Sequence, residues 1–234
     1  MRFSIDEKIF QKLGGLTVAL LVAKDLNNSG DAEGVMEQIR QEEERIRKSY
    51  SSETLSQHPK IDVWRKAYQV FSGKPKENKP SVENLYRRVL KGEGIRSVNK
   101  LVDCYNLISL RHMLPAGGED CDRMKGSVQL TLAGPSEPPV LLLGEKEPRP
   151  PKEGEVIYKD EESALCRRLN WKEADRTKLT EDTKNALLVI EAMPPITREE
   201  LENAAAGLKS MVEEHCKAKV ELFVLDSKNP QADF

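Results

Sequence analysis

The 234 residues read as an α+β protein, a mixed β-sheet flanked by helices with an extra helical segment near the N-terminal end. Three observations lead there. Residues 32–90 carry apolar side chains at helical spacing among dense charge. Residues 127–158 are short β-rich runs separated by Pro- and Gly-containing turns. A strongly capped helix followed by a strand closes the chain.

The elements follow in order. Leu16 to Ala23, LTVALLVA, comes after Gly14-Gly15 and ends at the turn signal Asn27-Asn28-Ser29-Gly30; its β-branched content reads as a buried strand, although so short a run also fits a helix. Ala32 to Ser49 places Val35, Ile39 and Ile46 among Glu, Gln and Arg, an amphipathic surface helix. Ile61 to Phe71 and Val82 to Leu90 read as two more helices, joined by the lysine-bearing loop Gly73 to Pro80, with Ser81 as N-cap of the second. Trp64, Tyr68 and Phe71 recur at helical spacing and are assigned to the core rather than to base stacking. Lys91-Gly92-Glu93-Gly94 then breaks the helix.

Beyond Ser127 the texture is extended. Val128 to Leu132 alternates, Val140 to Leu143 is continuously apolar and Glu155 to Tyr158 is β-rich, with loops such as Pro148 to Pro151 between them. Thr197 with Glu200 three residues later forms a capping box, and Ile196 and Leu201 are placed for a hydrophobic staple. The helix that follows puts Leu201, Ala205, Leu208 and Met211 or Val212 on one face and ends near Lys217. A strand from Lys219 to Leu225 comes next, and the tail SKNPQADF is expected to be loose.

Charged residues are 32% of the chain and aromatics 5%, so the core is aliphatic. A net charge of −2 excludes bulk electrostatic attraction to nucleic acid; any RNA contact has to come from a local basic patch. Cys104, Cys121, Cys166 and Cys216 fall singly, as do His58, His112 and His215, so neither a zinc-ligand spacing nor a disulfide framework is present. No metal and no cofactor are expected. Met1 to Phe10 lacks a signal-peptide pattern and the apolar runs are far shorter than a membrane span, which predicts a cytoplasmic protein with no membrane partner. No G-x-x-x-x-G-K-[ST] loop is present.

Two segments carry more information than folding requires. Val102 to Gly126, VDCYNLISLRHMLPAGGEDCDRMKG, has the skeleton V-D-x-x-N followed by Pro115, Asp120, Asp122 and Gly126 at fixed offsets. Downstream, Asp175 to Glu191, DRTKLTEDTKNALLVIE, presents an acidic residue, then Thr180, Glu181 and Thr183, then the apolar run Ala186 to Ile190. In this order the two segments resemble the editing domain of the phenylalanyl-tRNA synthetase β chain, over roughly Ile95 to Leu225. That domain removes tyrosine wrongly attached to the phenylalanine tRNA by hydrolysing the ester to the terminal ribose.

The resemblance implies an editing-domain-like fold over residues 95–226. Residues 1–94 would form a strand plus helical extension packed on it, and 227–234 the tail, all in one compact unit. Without room for a synthetase catalytic module in 234 residues, it implies a free-standing domain that hydrolyses mischarged aminoacyl-tRNA in trans. The alternative is a non-catalytic module that binds aminoacyl-tRNA or a related aminoacyl ligand. A third reading reuses the fold for a partner other than RNA.

Position by position, the motif Asn falls on Asn106 and the residue before it on Tyr105, where many synthetases have Thr. The family histidine falls on Gly117 and the acidic residue that recognises the tyrosine hydroxyl on Asp175. With no imidazole at 117, the substrate's own ribose hydroxyl, backbone N–H groups of an Ala116-Gly117-Gly118 turn, or Glu119 as general base, are left to orient a water. The catalytic set is thus Asn106, Gly117, Gly118 and Glu119, with Tyr105 and Asp175 binding an amino acid other than tyrosine. Asp120 and Asp122 are assigned to anchoring the loop.

For RNA, Cys166 to Lys178, CRRLNWKEADRTK, interleaves Arg167, Arg168, Lys172, Arg176 and Lys178 with Trp171, and Arg96 and Lys100 extend the patch. A basic surface with Trp171 in the core is the bland reading of the same residues.

Overall fold

In the computed structural model, which describes residues 1–71, 74 and 76–234, the first half of the chain runs β1 (Arg2–Ile5), α1 (Glu7–Lys12), β2 (Thr17–Lys24), α2 (Val35–Ser49), α3 (Pro59–Val70), α4 (Ser81–Leu90), α5 (Lys100–His112) and β3 (Ala116–Asp120). The second half runs β4 (Val128–Leu132), β5 (Val156–Lys159), β6 (Ala164–Arg167), β7 (Lys172–Glu173), β8 (Ala186–Ala192), α6 (Arg198–Cys216), β9 (Lys219–Leu225) and β10 (Gln231–Asp233). The α+β reading holds, with the strands divided between two sheets flanked by helices. One is antiparallel, in the order β3-β8-β2-β9; the other is mixed, in the order β10-β1-β4-β5-β6-β7, with β1 and β4 parallel.

The buried run Val18 to Ala23 explains the centre of the antiparallel sheet. β2 pairs with β8 on one side and β9 on the other, and its near-continuous apolar character is what a strand covered on both faces requires. Helix α6 packs on this sheet and on α5. It starts with the complete Thr197/Glu200 capping box and ends at Lys217, whose φ of 55° is left-handed. Its buried stripe is Leu201, Ala204, Ala205, Leu208, Val212 and Cys216. Val140 to Leu143 makes only isolated bridges, Val140 to Arg149 and Leu142 to Ala174.

The motif acids build the scaffold. Asp103 accepts from Ser97 Oγ and Val98 N ahead of α5, and Asn99 caps that helix while donating to Leu179 O. Asp120 accepts from Thr183 Oγ1 at 2.7 Å, and Asp122 accepts from Asn185 Nδ2 at 2.9 Å. These bonds stitch the two motif segments together, which is the anchoring role expected for both aspartates.

Three local expectations are corrected. Residues 231–233 are not loose but form β10 on β1, with Arg2 paired to Asp233 at 2.8 Å and the Phe234 ring against Phe223. Ser81 is not a cap: Pro80 takes that position, Ser81 N donates to Asn170 O at 3.0 Å, and the Ser81 hydroxyl is buried without a partner. Ala116-Gly117-Gly118 is not a turn but extended strand in β3, held in register by β8. The loop expected at Gly73 to Pro80 includes Gly73 and Pro75, which lie outside the described residues. Among the described residues no helix is long and apolar enough to cross a membrane.

Candidate active site

Period-two alternation places Gly117 and Glu119 of β3 on the same face as Leu187, Val189 and Glu191 of β8. That face looks across a cavity of about 600 Å³ toward β4 to β7 of the mixed sheet, and α4 and α5 close its sides. The volume is in the range of small-molecule sites. Its walls are largely apolar, including Val128, Leu143, Leu165, Leu169, Leu187 and Val189.

Three carboxyl groups face this space: Glu119 and Glu191, which are buried, and Glu173, which is half-buried. Among the described residues none of them has a cationic partner, unlike the buried Glu83, which is held by Arg65 and Arg87, and Glu155, held by Arg167. Glu173 Oε1 accepts from the Gly118 backbone N–H at 3.3 Å. A Cβ on Gly117 would stand 2.5 Å from that same oxygen, so the carboxylate occupies the space a side chain at 117 needs. Glu119 is 8% exposed and its Oε2 is buried without a hydrogen-bond partner.

The environment sets the protonation of these groups. Burial, and then the charge on Glu173, push the Glu119 carboxyl well above the usual range. Burial raises Glu173 to about 7, opposed by the Gly118 N–H. Glu191 is also raised to about 7 by burial, while Tyr158 Oη and Asn170 Nδ2 donate to it and pull the other way. Asn170 is held in turn by Tyr68 Oη at 2.9 Å. The Cys166 thiol is pushed far up by burial and by the neighbouring glutamates, which removes it as a nucleophile at neutral pH.

The sequence-predicted residues divide cleanly. Tyr105, Asn106, Gly117, Gly118, Glu119, Trp171 and Lys172 all line the cavity. Asn106 makes no side-chain hydrogen bond among the described residues, so its amide is available to a ligand. Asp175 does not line the cavity; it is half exposed and paired with Lys178 at 2.8 Å. β7 ends at Glu173, and the chain has left the cavity wall two residues later.

The expected basic patch is largely spent on internal pairs. Arg167 is buried and bidentate to Glu155 at 2.6 and 2.8 Å, and Arg176 is tied to Asp160 at 2.9 Å and to Glu162. Arg168 pairs with Glu155 and covers the Trp171 ring at 4.5 Å. Lys172 reaches Glu145 at 3.1 Å, Lys100 donates to Asn27 O, and Arg96 is exposed away from the cavity lining.

The positive charge at the cavity comes from elsewhere. Lys79, Arg88 and Lys91, before, on and after α4, line it and have no carboxylate partner among the described residues. The signal was legible only as Arg88 and Lys91 three residues apart at the C-terminal end of a helix. Glu173 stood inside the segment read as basic, and Glu191 at the end of an apolar run. Their convergence depends on how β7 and β8 meet across the two sheets.

Comparison with known proteins agrees with the motif resemblance. A family model described as the B3/4 domain matches residues 63–217. No curated protein matches the chain. Among solved structures, an N-terminal fragment of the phenylalanyl-tRNA synthetase β-subunit from Pyrococcus horikoshii is similar at 13% identity and a TM-score of 0.46. The match covers 96% of this chain and 54% of that one, so the chain spans about half the length of the fragment. The chain belongs to the B3/4 domain family, the domain type of the phenylalanyl-tRNA synthetase β-subunit.

Proposed function

We propose that this protein hydrolyses the aminoacyl ester of mischarged tRNA in trans, as a cytoplasmic fidelity factor. The observation that carries the reading is the polarity of the cavity: a floor of carboxyl groups without cation partners and an edge of basic residues that, among the described residues, have no carboxylate partner. An aminoacyl-tRNA end has the complementary arrangement, an α-ammonium on the amino acid and phosphates on the strand behind it. Lys79, Arg88 and Lys91 suit the phosphates, Trp171 offers a ring to a terminal base, and Asn106 offers its amide to the aminoacyl group.

The amino acid is not tyrosine in this reading. Tyr105 fills space that Thr leaves open in many synthetases, and the acidic group available to a side chain is Glu191, braced by Tyr158 and Asn170. A polar pocket of this kind rejects analogues lacking the matching donor more strongly than an apolar one rejects a missing methylene.

A non-catalytic binding module would use the same cavity. The lack of a histidine in the lining favours it, since His58, His112 and His215 all lie elsewhere. Single-turnover deacylation of a panel of mischarged tRNAs separates the two. Release of one amino acid well above the spontaneous rate supports hydrolysis; salt-dependent tRNA binding with no release supports the binding module; neither result retires both.

A further inference from the structure

We infer that Glu173 and Glu119 form a proton-sharing acid–base pair in which Glu173 takes the proton of the attacking water and Glu119 supplies the proton to the departing ribose oxygen. This rests on the ester-hydrolysis reading and assigns its chemistry to residues at positions the resemblance does not mark as catalytic in these roles. Glu173 enters the space above Gly117, where the family histidine falls, and Gly117 is what allows it to be there. Both carboxyls line the same cavity, and the charge on Glu173 adds to burial in raising Glu119, so the pair holds one proton between them.

Hydrogen bonding decides which member holds it. Glu173 Oε1 accepts from the Gly118 N–H, which favours its ionised form. Glu119 has one oxygen with no donor, and burial outweighs the pull of Thr177 and Arg176 toward the ionised form, which favours the protonated form. The other groups around the pair are Tyr105 from α5 and Cys166 from β6, both raised by burial and neutral, Glu191 from β8 in the same cavity, and, beside Glu119, Thr177 and the Arg176–Asp160 ion pair, whose arginine still favours the ionised form of Glu119. Lys172, next to Glu173 in sequence, is directed to Glu145.

The step balances without any further reagent. Water oxygen bonds to the ester carbonyl carbon as its proton passes to Glu173. The carbon–oxygen bond to the ribose breaks and the ribose oxygen takes the proton from Glu119. One water is consumed, and an amino acid and a ribose hydroxyl are released. The proton has then moved from Glu119 to Glu173, and exchange with solvent resets the pair.

The test combines single-turnover deacylation across pH with infrared titration of protonated carboxyls, on wild type, Glu173→Gln, Glu119→Gln and the reciprocal exchange Gly117→His/Glu173→Gly. The wild type should give a bell-shaped rate profile. Glu173→Gln should lose about 10²- to 10⁴-fold in rate together with the acid limb, and Glu119→Gln should lose the alkaline limb. The exchange should recover part of the rate with an acid limb in the imidazole range, near about 6.5.

In the infrared, one protonated carboxyl should persist above neutral pH and vanish in Glu119→Gln. Wild-type hydrolysis that survives both Gln substitutions with its profile intact overturns the pair and leaves the deacylase reading standing. Absence of hydrolysis by wild type on every substrate overturns both, whatever the infrared titration gives.

Discussion

Gly117 and Glu173 are complementary: the carboxylate of one occupies the volume that any side chain on the other would need, at 2.5 Å from the missing Cβ. The neighbouring Gly118 is confined differently. Its absent Cβ would meet Leu188 Cδ2 at 2.4 Å and the Leu187 carbonyl oxygen at 3.1 Å, in the packed core between β3 and β8. Gly118→Ala should therefore cost about 1–3 kcal/mol of stability, because the contact includes backbone. Gly117→Ala meets only the flexible end of Glu173 and should lower deacylation much more than stability. Denaturation midpoints beside single-turnover rates check the contrast.

The cavity glutamates give stability an unusual pH dependence. Glu173 and Glu191 are held at about 7 in the folded protein, against an ordinary value of 4.5. Between those values the folded state binds more protons than the unfolded state, so stability present below pH 4.5 is lost as pH rises through about 7. Glu191→Gln should flatten the fall in melting temperature between pH 4.5 and 8 by removing a contribution on the order of 1–3 kcal/mol. Parallel curves for variant and wild type would contradict this. Asp160, Asp226 and Asp233, whose carboxyls are depressed, act in the opposite sense and only under acid conditions.

Charge removal should separate the cavity edge from the buried pairs. Lys79→Ala, Arg88→Ala and Lys91→Ala together should weaken tRNA binding across sequences and reduce the salt slope by about 0.7 per lost phosphate contact. Arg167→Ala should instead destabilise the fold by about 3 kcal/mol, since it leaves the buried Glu155 with only its longer contact to Arg168. Binding isotherms at several salt concentrations, beside thermal melts, tell these apart.

The C-terminal strand should matter to the whole mixed sheet. Removing residues 230–234 takes away β10, the Arg2–Asp233 pair and the Phe223–Phe234 contact, and leaves β1 as an unprotected edge. A lower melting temperature and faster hydrogen exchange in β1 are expected. Unchanged exchange at Phe3 and Ile5 would show that β10 contributes nothing.

Helices α2, α3, α4 and α6, the capping box at Thr197 and the strand at 219–225 were legible because local rules govern them: periodicity, a cap and a turn; α1 and α5 were not read as helices. So were Asn106 and Glu119, because the motif skeleton fixes their places relative to β3 and α5. The site's other acids were not. Glu173 gains its meaning from a Gly on a different strand, and Glu191 from Tyr158 and Asn170 across the cavity. Arg167 and Arg176 looked basic and available because their partners, Glu155 and Asp160, pair with them only through the fold. β10 was invisible because its reason to be extended is β1, more than two hundred residues away.

If the ester is cleaved inside this cavity, blocking the cavity while sparing its edge should stop release without loss of tRNA binding. Val189 faces the space from β8, so Val189→Trp fills it without touching Lys79, Arg88 or Lys91. Single-turnover deacylation and tRNA binding should be measured for wild type and for this variant, with circular dichroism to establish folding. Wild type should release one amino acid, and the variant should retain tRNA binding with release at the spontaneous rate. Equal release by a folded Val189→Trp protein would contradict cleavage inside the cavity.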